Sequence, residues 1–317
     1  FEVRPDCVVR KVLHTNGKAT GVLYVDTRTG EEFIQEADVV VVSAYQMNNI
    51  KLLLNSQLGR PYDPVTGTGV IGRNYAYQTY LGTAVGFFDK DFNMYAGAGA
   101  LGAQIDDFNG DFFDHTDLDF LHGATIHITQ LGDRPIANNH VPANVPSWGK
   151  EFKDASVQNA NRALIIKAQG ASLPWQDNYI DQDPTYKDAF GDPLLRMTFN
   201  WKDQDRQLMK FMGEKCAEIM KQMGAKEVKM TGDEIGDYDI RNYQSTHNTG
   251  GVIMGADPET SALNSYLQMW DCENVFVPGA SAFAQNSGYN PTNTVGALAY
   301  RAAEGIEKYL KTGGSLV

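Results

Sequence analysis

The sequence predicts an α/β chain, α+β overall, whose two ends carry parallel-sheet character and enclose an antiparallel middle. Three observations predict it. Near the start, Ala37-Asp38-Val39-Val40-Val41-Val42-Ser43-Ala44 is a continuous β-branched run. Near the end, Val275-Phe276-Val277 is a short apolar run closed by Gly279-Ala280-Ser281. Between them, residues 75–245 are rich in aromatics, Asp and Asn and in short alternating segments. Uninterrupted apolar runs suit parallel strands covered on both faces, whereas alternation suits half-buried antiparallel ones.

Each element follows in order. Val8–His14 alternates loosely, Asn16-Gly17 signals a type I′ hairpin, Gly21–Asp26 pairs back, and Glu31–Gln35 makes a third strand after the Thr29-Gly30 turn. The Val39–Ser43 strand is expected to be buried on both faces. A helix follows over Met47–Leu54, with Ile50, Leu53 and Leu54 on one side. In the middle, Ala124–Thr129 and Leu195–Asn200 read as strands. Asp203–Met223 reads as the one long helix there, with Leu208, Phe211, Met212, Cys216, Ile219 and Met220 at helical spacing and Gly224 as its stop. The last helix, Thr294–Leu310, is expected to bury Val295, Leu298, Ala302, Ile306 and Leu310. The domain division is 1–74, 75–245 and 246–317, with the two ends forming one unit.

At 317 residues the chain is long enough to bury a large core, and its formal charge of −12 argues against nucleic acid and anionic membrane surfaces as partners. No apolar run approaches the ~20 residues that span a bilayer. The three cysteines, Cys7, Cys216 and Cys272, stand far apart and read as buried thiols, neither a disulfide framework nor a metal site.

Two glycine-rich turns carry the candidate chemistry: Ser245-Thr246-His247-Asn248-Thr249-Gly250-Gly251 and Gly288-Tyr289-Asn290-Pro291-Thr292-Asn293-Thr294, the second opening a helix. A neutral imidazole with a pKa of about 6.5 can accept a proton near neutral pH. The amide of Asn290 both donates and accepts, so it suits holding an alcohol oxygen while His247 takes the proton. The unpaired N–H groups of the following helix carry roughly half a positive charge and suit a developing anion. Read singly, His247 is a structural histidine, Asn290 a turn residue, and Thr292 or Asn293 an ordinary helix cap. The acidic stretch Asp106–Asp117 misses the spacing of a calcium loop and lacks its closing Glu, so no metal is expected. His115, His122, His127 and His140 show no helical ligand pair and read as structural.

His247-Asn248-Thr249-Gly250-Gly251-Val252-Ile253-Met254-Gly255, together with Asn290-Pro291-Thr292-Asn293-Thr294 and Ala297–Ala303, resembles the C-terminal signature of the glucose–methanol–choline (GMC) flavin oxidoreductases. Asn274–Ser281, Val39–Asn55 and Gly72-Arg73-Asn74 extend the resemblance to both flanks. Tyr266–Asp271, Asp177-Asn178-Tyr179 and Arg196–Trp201 are similar to the bacterial gluconate 2-dehydrogenase flavoprotein subunits and related sorbitol, fructose and glucose dehydrogenases. The resemblance implies an incomplete FAD-binding Rossmann-like domain with an inserted antiparallel substrate domain, helices packed on its sheet. It implies FAD as cofactor and a sugar or sugar acid as substrate. His247 would abstract the hydroxyl proton as hydride passes to flavin N5, with Asn290 as second catalytic residue. Val8 would meet the adenine through its backbone, Gly279 and Ala280 would line the pyrophosphate and ribityl chain, and Pro291 and Thr292 would lie against the flavin ring. Gln285, Asn286 and Tyr289 are candidate substrate contacts.

The family's opening Gly-x-Gly-x-x-Gly turn, which seats the pyrophosphate on a helix N-terminus, has no counterpart in these 317 residues. A second polypeptide, or more of the same one, is therefore expected to supply that part. The subgroup implies a cytochrome or quinone as acceptor through partner subunits, a cytochrome and small subunits among them, with oxygen as the alternative. It implies a bacterial periplasmic location, peripheral to the inner membrane through partner subunits, with the cytoplasm as alternative. The rival reading is a non-catalytic fragment that binds a ligand without turning it over.

Overall fold

The computed structural model describes residues 1–317 except 81, 94–100, 131–139, 232–234, 243–245 and 317. The chain begins with an antiparallel meander of β1 (Cys7–Thr15), β2 (Lys18–Asp26) and β3 (Glu32–Glu36). Asn16 and Gly17 at its first turn have φ of 50° and 74°, the two positive values that a type I′ hairpin demands.

Next come β4 (Val40–Val41) and α1 (Gln46–Ser56). The strand differs from expectation. It is two residues long and alternates, with Val40 and Val42 buried and Val41 48% exposed. Its one partner among the described residues is the distant β14 (Val275–Phe276), paired in parallel, so the two ends of the chain do meet in one ladder. β-branched composition reports the propensity to extend; it does not report whether a second layer covers the outer face.

The middle is built on a five-stranded antiparallel sheet. Its strands are β6 (Thr83–Phe87), β7 (Leu101–Ile105), β8 (Ala124–Gln130), β9 (Ala163–Gly170) and β12 (Glu227–Thr231), in the spatial order β12-β6-β9-β8-β7. Helix α3 (Asp203–Gln222) packs on one face, where Leu208, Met209, Met212, Cys216 and Met220 meet Ala84, Ile126, Ile166 and Ala168 in a closed core. The other face presents Thr125, His127, Lys167 and Gln169, since directly paired residues share a side. A second helix, α2 (Gly149–Asn159), was not legible, because it buries none of its residues and so shows no apolar stripe. The hairpin of β10 (Tyr179–Lys187) and β11 (Pro193–Thr198) completes the middle.

Two short strands join middle to end: β5 (Ala76–Tyr77) pairs with β13 (Asn248–Thr249). The chain closes with α4 (Thr292–Thr312), which buries Ala302, Gly305 and Tyr309. Leu310 is exposed, contrary to expectation, because Tyr309 takes the inward position against Phe276 and donates its hydroxyl to Glu273 at 3.2 Å. Nor does a side chain among the described residues cap this helix: Pro291 precedes it, and Thr292 is its first residue. Cys216 and Cys272 are buried thiols, as expected, while Cys7 is half-buried. Among the described residues no helix is long and apolar enough to cross a membrane, and no group of three metal-ligating side chains gathers.

Candidate active site

The site is built where β4 and β14 end. Val40 N–H donates to Asn274 O and Val42 N–H to Phe276 O, and both strands then turn outward, one into α1 and the other into Gly279. In open α/β sheets, ligands bind in the crevice beyond such carboxyl ends. Tyr45, at the start of α1, has φ of 81°, which is strained for a bulky residue, and it is exposed.

The segment holding the candidate base is stitched into this crevice from both sides. Gln46 Nε2 donates to Gly250 O at 2.8 Å, Asn248 Nδ2 donates to Tyr45 Oη at 2.7 Å, and Gly250 N–H donates to Ala280 O at 3.0 Å. Asn49 Nδ2 reaches Ser281 Oγ at 2.9 Å. Gly250 and Gly251 are glycines for a visible reason. A Cβ on the first would sit 2.1 Å from Asn74 O, one on the second 2.2 Å from Ile50 Cδ1, and both have positive φ.

Ser245 lies outside the described residues, whereas His247 is within them. Its φ is 62° and its ring is half-buried. Nδ1 lies 2.5 Å from Tyr80 Oη, and the two rings stack at 5.8 Å. Its carbonyl accepts from Asn286 Nδ2 at 2.6 Å. Burial lowers its pKa below the ordinary imidazole value, with a smaller push from His127, so the ring stays neutral at pH 7. Tyr80 in turn donates to Gln78 Oε1 at 3.4 Å, and Gln78 Nε2 donates to Ser287 O and to Tyr289 O, the latter at 3.1 Å. Neither Gln78 nor Tyr80 was singled out from the sequence. Nothing local in Ala76-Tyr77-Gln78-Thr79-Tyr80 announces a partner 167 residues away.

The other expected site residues are placed as follows. Asn290 is exposed, immediately before buried Pro291 and the start of α4. Thr292 is exposed there too. Gly279 has φ of 113°, and a Cβ on it would meet nothing within 4 Å, so its turn opens onto free space beside half-exposed Ala280. Val8 is exposed and lines a 410 Å³ cleft with Arg10, Ala44, Asn48 and Lys51. Gln285 and Tyr289 line another cleft, of 400 Å³, with Asn109, His122 and Ala171. Tyr289 Oη donates to Asp106. Asn286 is buried away from that cleft, its backbone bridged to Ser172 and its amide given to His247.

Models of one family, GMC oxidoreductase, match residues 1–79 and 174–299. The chain belongs to the GMC oxidoreductase family. It is 45% identical to the gluconate 2-dehydrogenase flavoprotein of Pantoea cypripedii over 323 residues, covering 100% of this chain and 52% of that one. It is 30% identical to the 2-methyl-1,2-propanediol dehydrogenase of Mycolicibacterium austroafricanum, covering 97% of this chain and 54% of the other. Pyridoxine 4-oxidase from Mesorbium loti shares the GMC fold, with a TM-score of 0.60 at 13% identity over 95% of this chain and 57% of that one. The chain spans about half the length of the curated relatives it matches. The residues present fit the flavin cofactor of this family: an open glycine turn, a long helix start that no described side chain caps, and a buried Gln46 Oε1 with no partner among the described residues.

Proposed function

We propose that this GMC chain forms the catalytic half of an FAD-dependent dehydrogenase oxidising a hydroxyl of a sugar or sugar acid, gluconate being the first candidate. The observation that carries the reading is His247: a half-buried, neutral imidazole of left-handed backbone, held at both its ring and its carbonyl beside the open Gly279 turn. FAD, when bound, supplies the hydride acceptor. Val8, Gly279, Ala280, Pro291 and Thr292 would hold it, and the uncapped start of α4 would favour negative charge there. His247 takes the hydroxyl proton, and Asn290 orients the alcohol. Gln285 and Tyr289 contribute polar groups from the neighbouring cleft, and Asn286 acts by holding the His247 carbonyl. The role of residues 75–245 is to enclose the substrate.

Likeness to the gluconate dehydrogenase flavoprotein supports electron delivery to a cytochrome or quinone through partner subunits in the bacterial periplasm, in preference to oxygen. The uncovered Val41 face and the outer side of α4 support a further polypeptide segment bearing the Gly-x-Gly-x-x-Gly turn. Turnover of gluconate and neutral sugars by the purified flavin-loaded protein, with ferricyanide and with oxygen, tests the substrate class and acceptor together. A protein that binds no flavin, alone or with a co-expressed turn-bearing segment, would favour the non-catalytic reading.

A further inference from the structure

One direction of the hydrogen bonds behind His247 satisfies both the buried Gln78 amide and the imidazole. Gln78 is buried, and its amide nitrogen faces two carbonyl oxygens, those of Ser287 and Tyr289. Carbonyls only accept, so the NH₂ end must point at them and Oε1 must point at Tyr80. Oε1 also only accepts, so the Tyr80 hydroxyl proton lies toward it, along the 3.4 Å contact. A phenol has one proton to give. At the 2.5 Å contact with His247 Nδ1, the Tyr80 oxygen is therefore the acceptor, and Nδ1 carries the hydrogen. The remaining ring nitrogen, Nε2, then holds the lone pair of the neutral imidazole. The reverse arrangement, Tyr80 donating to Nδ1, would protonate Nε2 and leave no base there.

We propose that Gln78 and Tyr80 are positioning residues that hold His247 as its Nδ1–H tautomer, so that Nε2 is the proton acceptor. Gln78 also ties this setting to the loop that ends at Asn290, since its two acceptors are the carbonyls of Ser287 and Tyr289. The stack of Tyr80 on the imidazole, inclined by 28°, restrains the ring plane while the hydroxyl fixes the tautomer. Free imidazole side chains favour the Nε2–H form, so this relay selects against the intrinsic preference. The inference rests on His247 acting as the base, but its decisive measurement does not.

The test is nitrogen-15 NMR of ¹⁵N-histidine-labelled holoprotein, with the His247 ring signals assigned by His247→Gln. The wild type should show a pyrrole-type Nδ1 and a pyridine-type Nε2. Tyr80→Phe keeps the stacked ring and removes the hydroxyl. Gln78→Met removes the acceptor and frees the Tyr80 proton to turn toward Nδ1. Both should move His247 toward the Nε2–H form and lower kcat about tenfold, the order of one hydrogen bond, with KM changed less than about twofold. A wild-type Nε2–H signal overturns the proposal, as does an Nδ1–H signal unchanged in both variants. If the tautomers behave as expected while His247→Ala turns over normally, the relay stands and the proposed base does not.

Discussion

The antiparallel middle and the joined ends of this chain solve opposite problems. The middle closes on itself: α3 lays a stripe over one sheet face in which Leu208, Met209, Met212, Cys216 and Met220 are sealed from water. The ends do not close. Helix α4 is as long as α3, yet it buries only Ala302, Gly305 and Tyr309, and leaves Tyr300 80% exposed. Its ladder partner region, β4 with β14, pairs two residues of each strand. Burial of apolar area makes the middle a scaffold, while the ends keep surface free at the crevice where His247, Gly279 and the start of α4 gather. With His247 as the proposed base, stability and chemistry fall to different parts of one chain.

The largest effect that tests this division is on the chemistry. His247→Ala should lower turnover by roughly 10²–10⁴-fold with little change in substrate affinity, measured by steady-state kinetics on the flavin-loaded protein. In the wild type, activity should fall only as pH drops through a histidine pKa below the ordinary value of about 6.5, because burial disfavours the cation. An acid limb above that value would place His247 elsewhere than in this half-buried setting.

Leu208→Ala should be the strongest change in the middle. Leu208 is fully buried beneath the sheet, and its truncation should cost about 2–5 kcal/mol in urea unfolding while leaving flavin binding intact in the folded fraction. Loss of flavin affinity without loss of stability would show that the two regions are not separate in role.

Asn290→Asp brings a carboxylate to the start of α4. It should lower the flavin midpoint potential and shift the activity profile to higher pH, since a nearby anion raises the pKa of His247 and leaves less of it as base. At pH 7 the loss should be about tenfold, with partial recovery on raising the pH. Unchanged potential and unchanged profile together would remove Asn290 from the site. The smallest effect belongs to the open helix face: Tyr300→Ser should alter the stability of the isolated chain by no more than about 0.5 kcal/mol. A larger loss would mean that α4 is covered after all.

The sequence by itself determined the features whose cause is local. Asn16-Gly17 turns the first hairpin because both positions need positive φ. The stripe beginning at Leu208 makes Asp203–Gln222 a helix packed on one side, within a residue of expectation. The glycines after His247 marked a turn, and the structure adds the close approach of Asn74 and Ile50 to it. Tertiary structure alone decided what depends on distant partners. It exposed Val41, turned Tyr309 inward in place of Leu310, buried Asn286 behind the His247 carbonyl, and set Tyr80 and Gln78 behind the imidazole. Periodicity and turn chemistry fix a few consecutive dihedral angles. The direction of a hydrogen bond across 167 residues exists only once the chain has closed around it.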